Sequence, residues 1–332
     1  MVKSRPVRIS GLATYVPSRV LTNADLERMV DTTDAWILQR TGIRERHLVE
    51  PGQATSDLAE PAARQAIAEA GLTPDDIGFI VVGTTTPDTI FPSTACVLQA
   101  KIGANHAWGF DLGAACSGFL YSLSVGAQMV ATGVCEHALV VGADVMSSII
   151  DYTDRATCIL FGDGAGACVV SPAEPDGPAI IDFLHEIDGH GGPALCMPAG
   201  GSRRPASHET VNERLHYVKQ DGGTVFKFAV TKTEEIARKL LARNKLCPSD
   251  VDLLVSHQAN RRIIESAAER LGLPPNKFVI NLDKYGNTTA GTIPLALADA
   301  RAAGRLRKGD LILLAAVGAG FTAGSVLLRW SL

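Results

Sequence analysis

A chain of 332 residues, 46% hydrophobic and only 5% aromatic, exceeds the length that one core usually organises, so two lobes of a compact α/β protein are expected and a disordered chain is excluded. A formal net charge of −4 speaks against sequence-independent nucleic-acid binding, which needs many cations facing phosphate. Local basic spots remain at Arg40, Arg44 and Arg46, at Arg203 and Arg204, and at Arg261 and Arg262.

Seven cysteines, none spaced as CxxC, fit neither a disulfide framework nor a zinc site and agree with a reducing cytosol. The basic start MVKSRPVRISG has no apolar stretch behind it, and the longest apolar run, near Leu311 to Phe321, is too short to span a bilayer. A soluble cytoplasmic protein without membrane contact is the expectation.

Along the chain, SDLAEPAARQAIAEA (56–70) reads as a helix capped by Ser56 and stopped by Gly71, despite Pro61. FIVVGTTT (79–86) and HALVVGAD (137–144) read as buried strands, so helices and strands alternate. Between them the small-residue run DLGAACSGF places Cys116 at the opening of a long apolar helix. Unpaired amides and the helix macrodipole favour an anion there, so the thiol pKa is expected to fall. FGDGAGACVV (161–170) resembles a dinucleotide fingerprint but runs into a strand rather than a helix, so it is read as a tight turn near the core, with Asp163 holding it.

SPAEPDGP (171–178) reads as a linker and Gly189 to Gly223 as a long surface excursion bordering the substrate entrance. VDLLVSHQAN then ends a strand at His257, and the following helix carries an apolar face of Ile263, Ile264, Ala267, Ala268 and Leu271 with Arg261 and Arg262 near its exposed start. DKYGNTTAG sets Asn287 in a glycine-flanked turn, and AVGAGFTAG (316–324) offers backbone amides from a run of small residues.

An internal repeat joins these pieces. LTPDDIGFIVVG from Leu72 and LCPSDVDLLVSH from Leu246 share Leu, Pro and Asp at matching offsets ahead of a strand. Cys116 lies 17 residues before Gly133, and Asn287 lies 17 residues before Gly304. Two copied lobes, 1–174 and 175–332, are therefore expected, with Cys116 and Asn287 at pseudo-equivalent points and a catalytic centre between the lobes. Chemically, a cysteine thiol can take an acyl group, the amides of Cys116 and Ala319 can hold the oxyanion, and His257 with Asn287 can donate to an enolate oxygen. A papain-like hydrolase uses the same residue types, with His as a base, and stays open at this point.

The motifs TTDAWILQRTGIRERH, FPSTAC, AACSGF, TDRAT, FGDGAGA, VFKFAV, HQANRRI, YGNTTAG and GAGFTAGS, in order over nearly the whole chain, resemble the β-ketoacyl-acyl carrier protein synthase III family, which initiates type II fatty acid synthesis. The resemblance implies a thiolase-like α/β fold, two duplicated lobes in a five-layered αβαβα arrangement, working as a homodimer. It implies that Cys116 takes an acyl group from acyl-CoA and that His257 and Asn287 assist decarboxylation of malonyl-acyl carrier protein. The coenzyme A thioester is then the substrate, and no metal or organic cofactor is expected.

By the same resemblance Trp36 and Arg155 sandwich the adenine of coenzyme A, with Arg40 and Asn260 as further contacts. Phe91 closes the acyl pocket of the partner subunit, Met146, Phe161 and Leu195 line that pocket, and a short starter, acetyl first, is expected. Lys227, Arg261 and Arg262 meet the acyl carrier protein. Two departures stand out: Gly223 and Thr224 replace a polar Asn-Glu pair, and Glu269 and Arg270 replace a pair of lysines. The alternatives are a polyketide starter synthase or an acyltransferase acting on coenzyme A thioesters, and a noncatalytic acyl-CoA binding protein.

Overall fold

The computed structural model describes residues 4–332 and contains two sheets of one plan. The first is formed by β1 (Val7–Tyr15), β2 (Ile77–Gly83), β3 (Trp108–Leu112), β4 (His137–Asp144) and β5 (Gly164–Pro172), in the order β1-β5-β4-β2-β3. The second is formed by β6 (Ile180–Ile187), β7 (Leu253–Ser256), β8 (Leu311–Gly318) and β9 (Thr322–Arg329), in the order β6-β9-β8-β7. In both, two antiparallel pairings are followed by a parallel one. In place of a fifth strand the second sheet has a single parallel bridge from Leu254 to Phe278.

Apolar faces stack these sheets with seven main helices, α1 (Asp34–Thr41), α2 (Thr55–Glu69), α3 (Thr94–Ile102), α4 (Gly118–Ala131), α5 (Gly222–Arg243), α6 (Arg261–Leu271) and α7 (Thr292–Ala302). Leu58 and Ile67 of α2 and Leu98 of α3 pack on Ile80, Val141 and Val169 of the first sheet. Phe119 and Leu123 of α4 and Ile293 and Leu297 of α7 fill the space between the sheets, against Val81 and Val140 on one side and Val255, Leu314 and Val326 on the other. Leu240 of α5 and Leu271 of α6 cover the outer face of the second sheet at Leu254, Leu313 and Leu327. The result is five layers, and the central helices are apolar nearly all round because both flanks meet a sheet. Each large aliphatic or aromatic side chain so buried contributes about 1.5–3 kcal/mol.

Local expectations meet the structure with instructive shifts. The second helix starts one residue before Ser56: Ala54 is the cap residue, and the Asp57 carboxylate accepts the Ala54 N–H at 2.8 Å. Ser56 is instead inside the helix, donating from its N–H and hydroxyl to Asp88. Gly71 stops it with φ +72°. The glycine run is strand β5 in the middle of the sheet. Asp163 accepts from Val49 N, Ser147 N and Ser147 Oγ, so it ties two other segments to the start of the strand instead of holding a turn of its own. The excursion from 189 to 223 is more ordered than its composition implies, with a 3₁₀ stretch Gly189–Ala194, a short ribbon of Leu195–Cys196 with Lys219–Gln220, and a helical turn His208–Asn212. Arg46, expected among exposed basic spots, is fully buried, with its guanidinium donating to Leu21 O, Asn23 Oδ1 and Ile159 O.

The copies correspond differently from the 17-residue spacing. Each central helix follows a 3₁₀ turn whose first residue is left-handed, Ala115 at φ 47° and Thr289 at φ 48°, and each is followed by a left-handed glycine, Gly133 or Gly304. That match puts Cys116 opposite Ala290, not Asn287. Helix α4 has 14 residues and α7 has 11, and this shortening makes the two glycine spacings coincide although Asn287 lies upstream of the turn.

No helix among the described residues is long and apolar enough to cross a membrane. The close approach of the lobes depends on Gly142 of β4, where a Cβ would sit 2.3 Å from Ala290 O. Gly142→Ala is expected to destabilise the protein by about 1–3 kcal/mol through overpacking, read as a lowered urea midpoint with an unchanged m-value.

Candidate active site

Cys116 occupies the short connection from β3 to α4. The chain turns sharply there because Ala115 takes a left-handed conformation that costs a non-glycine residue about 1–3 kcal/mol. The second lobe supports the turn. Thr322 Oγ1 donates to Ala114 O at 3.0 Å and lies 3.1 Å from Ser117 Oγ. The end of β8 lies so close that a Cβ on Gly318 would be 2.8 Å from Cys116 N.

His257 follows β7 and extends its ladder, with its N–H donating to Ala315 O at 2.8 Å. In HQAN the neighbours are structural: Gln258 accepts from Asn281 N and donates to Val279 O. Asn287 is held by its backbone, its N–H on Leu160 O at 2.8 Å and its C=O taking Gly162 N–H at 3.1 Å. Its Oδ1 accepts Thr289 N–H at 2.9 Å. That backbone donor fixes the carboxamide orientation, so Nδ2 is the end left free to donate.

These three residues from distant parts of the chain line one cavity of about 220 Å³, together with Phe161, Leu195, Phe226, Asn260 and Phe321. They are 7%, 5% and 6% exposed. Burial therefore dominates the ionisation of the thiol and the imidazole. The thiol of Cys116 is pushed up to about 12 by burial, with the Asp144 carboxylate adding to the rise and the residue's own N–H opposing it. The expected fall is thus overturned in the free protein: the cost of an anion in a closed apolar site exceeds the stabilisation at a helix start. Burial also pushes His257 down to about 3, so its imidazole is neutral at pH 7.

A second cavity of about 150 Å³ opens behind the thiol and shares Cys116, Phe161 and Leu195 with the first. Met146, Ile149, Met197 and Val218 give it an apolar lining, and Ala319 borders it. Ala319 lies in the turn between β8 and β9, and its amide donates to no backbone carbonyl among the described residues. Met146, Phe161 and Leu195 thus line one apolar cavity with Cys116. Ile149, Met197 and Val218 escaped notice because they come from the surface excursion and a segment without periodicity.

The remaining candidates lie around the entrance. Arg155 Cζ is 5.0 Å and Arg40 Cζ 5.7 Å from the centre of the Trp36 ring, and Arg155 Nη1 donates to Asp31 O at 2.8 Å. Trp36 and Arg155 are therefore closed on each other, since a ring inserted between two planes needs about 7 Å at ordinary contact distances. Asn260 lines the first cavity, but its Oδ1 caps α6 at Arg262 N and its Nδ2 donates to Arg40 O at 2.9 Å. Its carboxamide is thus spent on joining α1 to α6. Lys227, Arg261 and Arg262 are exposed beside the cavity residues Phe226 and Asn260, and Arg262 Cζ lies 5.3 Å from the Phe226 ring. Thr224, at one of the departures, donates its hydroxyl to Asp221 at 2.7 Å. Phe91 lines neither cavity of its own chain and is 84% exposed.

Comparisons with known proteins agree over the whole length. Residues 110–189 match the family described as 3-oxoacyl-[acyl-carrier-protein (ACP)] synthase III, and residues 241–330 match its C-terminal part. The chain is 57% identical to the β-ketoacyl-[acyl-carrier-protein] synthase III of Koribacter versatilis, covering 100% of both chains. It is 59% identical to that of Solibacter usitatus, covering 98% of each. The crystal structure of 3-oxoacyl-[acyl-carrier-protein] synthase III from Aquifex aeolicus VF5 matches with a TM-score of 0.90 at 41% identity, covering 98% of this chain and 100% of that one.

The raised thiol pKa has a direct readout. Alkylation of Cys116 by iodoacetamide, followed by peptide mass spectrometry, is expected to keep rising about tenfold per pH unit up to pH 10, because the thiolate fraction is still far from saturation. A plateau near pH 7 would show a thiolate already formed in the resting protein.

Proposed function

Because this chain belongs to the β-ketoacyl-acyl carrier protein synthase III family and has its thiolase-like fold, we propose that it catalyses the decarboxylating condensation of a short acyl-CoA with malonyl-acyl carrier protein, initiating fatty acid synthesis. The observation that carries the residue assignment is the convergence of Cys116, His257 and Asn287 on one cavity, with an apolar pocket opening behind the sulfur. In the first half-reaction Cys116 Sγ bonds to the acyl carbon, the bond to the coenzyme A sulfur breaks, and that sulfur leaves with the thiol proton. The amides of Cys116 and Ala319 serve as donors to the passing oxyanion.

In the second half-reaction malonyl-acyl carrier protein loses carbon dioxide and the C–C electron pair becomes an enolate, whose oxygen takes N–H donors from His257 and Asn287. The enolate carbon attacks the acyl-enzyme, the bond to Sγ breaks, and the sulfur regains a proton from solvent. Loss of carbon dioxide supplies the carbanion, so the scheme calls on no metal or organic cofactor. An imidazole whose affinity for a proton is lowered by burial to about 3 is a poor base but still donates its ring N–H to an enolate, which separates this reading from a hydrolase.

The entrance supports the substrates. Trp36 and Arg155 take the adenine between them after Arg155 swings away, Arg40 assists, and Asn260 contributes by holding α1 against α6. Lys227, Arg261 and Arg262 form a basic rim that suits an acidic carrier protein, chiefly by speeding encounter. The homodimer is part of the same proposal. Strand β3 pairs on one side only and exposes Trp108, 50% accessible, beside Phe110, an apolar edge that a second copy would cover. Exposed Phe91 is then free to close the partner's pocket. The lobe division at 174 and 175 follows the matching strand orders, and a reactive thiol fits a reducing cytoplasm.

Acetyl-CoA is expected to leave an acetyl mass on Cys116, and malonyl-acyl carrier protein to discharge it with release of carbon dioxide. A Cys116→Ala protein that still condensed would rule this mechanism out. A 150 Å³ apolar cavity matches one that holds benzene, so starters up to about six carbons should load and decanoyl should not. Trp36→Ala should raise KM for acetyl-CoA about tenfold at unchanged kcat and leave KM for an acyl-pantetheine lacking the nucleotide unmoved.

A further inference from the structure

A neutral imidazole carries one ring proton, and the role given to His257 requires it on the nitrogen that faces the substrate. What decides this is the partner of the other nitrogen. His257 Nδ1 lies 2.7 Å from Thr292 Oγ1, and no other partner meets it among the described residues. Thr292 is the first residue of α7 and is 2% exposed. Its hydroxyl also lies 3.1 Å from Thr289 O, but that carbonyl already accepts the Thr292 backbone N–H.

The hydroxyl has one proton and two places for it. Given to Thr289 O, it would oblige Nδ1 to be the donor and leave Nε2 with a bare lone pair towards the cavity. Given to Nδ1, it leaves the ring proton on Nε2. The carbonyl already has the Thr292 N–H, and the shorter of the two hydroxyl contacts is the one to Nδ1. A carboxylate or carbonyl in place of Thr292 could only accept and would force the opposite tautomer.

We propose that Thr292 is a positioning residue that donates its hydroxyl proton to His257 Nδ1 and so holds the imidazole in the Nε2–H form needed to donate to the enolate oxygen. This rests on the condensing reading above. The side chain touches no substrate and acts through His257. Its effect therefore belongs to the decarboxylating half-reaction, whereas loading of Cys116 proceeds without it.

The test uses the full-length protein with ¹⁵N-labelled histidine, the His257 signals being assigned by their loss in His257→Gln. Ring nitrogen shifts at neutral pH are expected to show the Nε2–H tautomer in the native protein and in Thr292→Ser. Thr292→Val, which keeps the shape and removes the donor, should lose that preference and slow carbon dioxide release from malonyl-acyl carrier protein about 10- to 100-fold. Loading of Cys116 from acetyl-CoA should stay within about threefold in both variants. An Nδ1–H tautomer in the native protein, or undiminished decarboxylation by Thr292→Val, overturns the proposal. Should Thr292→Val not fold, the native tautomer and the Thr292→Ser rates still decide. Absence of any acyl mass on Cys116 would instead bring down the condensing reading, and the nitrogen shifts would still report the tautomer.

Discussion

One buried carboxylate holds the two lobes in register. Asp144, at the end of β4 and fully buried, accepts at Oδ1 from the hydroxyls of Thr84, Thr85 and Thr86 and from the N–H groups of Thr85 and Thr86. At Oδ2 it accepts from the Thr289 hydroxyl and from Ala290 N. The first set belongs to the segment after β2, the second to the turn just after Asn287. A charge so enclosed is tolerable only when its lone pairs are met, and removing it would strand most of these donors. The same anion disfavours ionisation of the neighbouring thiol. The thiol is thus kept neutral chiefly by its own burial, and the charge that ties the lobes together adds to that effect.

A neutral thiol beside a neutral imidazole is consistent with thioester exchange. Sulfur replaces sulfur, so no strong base has to be generated, and the burdens fall on holding an oxyanion and an enolate. Both are anions that appear only during reaction, and in a dry cavity fixed N–H donors act on them more strongly than in water. In the proposed reaction the amides at Cys116 and Ala319, the Nδ2 of Asn287 and the outward nitrogen of His257 serve as four such donors. Each is oriented by something else: a left-handed residue before the sulfur, a turn closed by Thr322, a backbone N–H on Asn287 Oδ1, a hydroxyl on His257 Nδ1. Rigidity here comes from the surroundings of the functional groups.

Two cavities meet at Cys116. On one side of the sulfur lies an apolar chamber, and the other side leads past Phe226 and Asn260 to an exposed rim of Lys227, Arg261 and Arg262. The chamber wall includes Met197 and Val218 from the ordered excursion, so its size is set in part by a region remote in sequence from every motif residue. Trp36 and Arg155 are closed on one another, and under the proposed function they part to admit the adenine.

Much of this protein was readable from its residues. The alternation of elements, the duplicated strand order, and the Cys, His and Asn at strand ends and turns follow from hydrophobic period and turn chemistry, which act over a few neighbours. Family motifs spread over the chain carried the acyl-transfer reading. What escaped was anything decided by burial across lobes. Cys116 was read as an activated thiol because helix starts favour anions, yet its environment reverses the balance. Arg46, part of a basic spot in the sequence, lies in the core. Equal spacing paired Cys116 with Asn287, whereas the left-handed residues pair it with Ala290. Asp144, Thr289 and Thr292 carry no motif, since their partners lie far away along the chain. The sequence by itself determined the elements, their duplication and the Cys, His and Asn that line one cavity, because each rests on local chemistry. Only the tertiary structure decided their protonation, their orientation and the size of the pocket, because desolvation and donor geometry exist only once the two lobes have closed on each other.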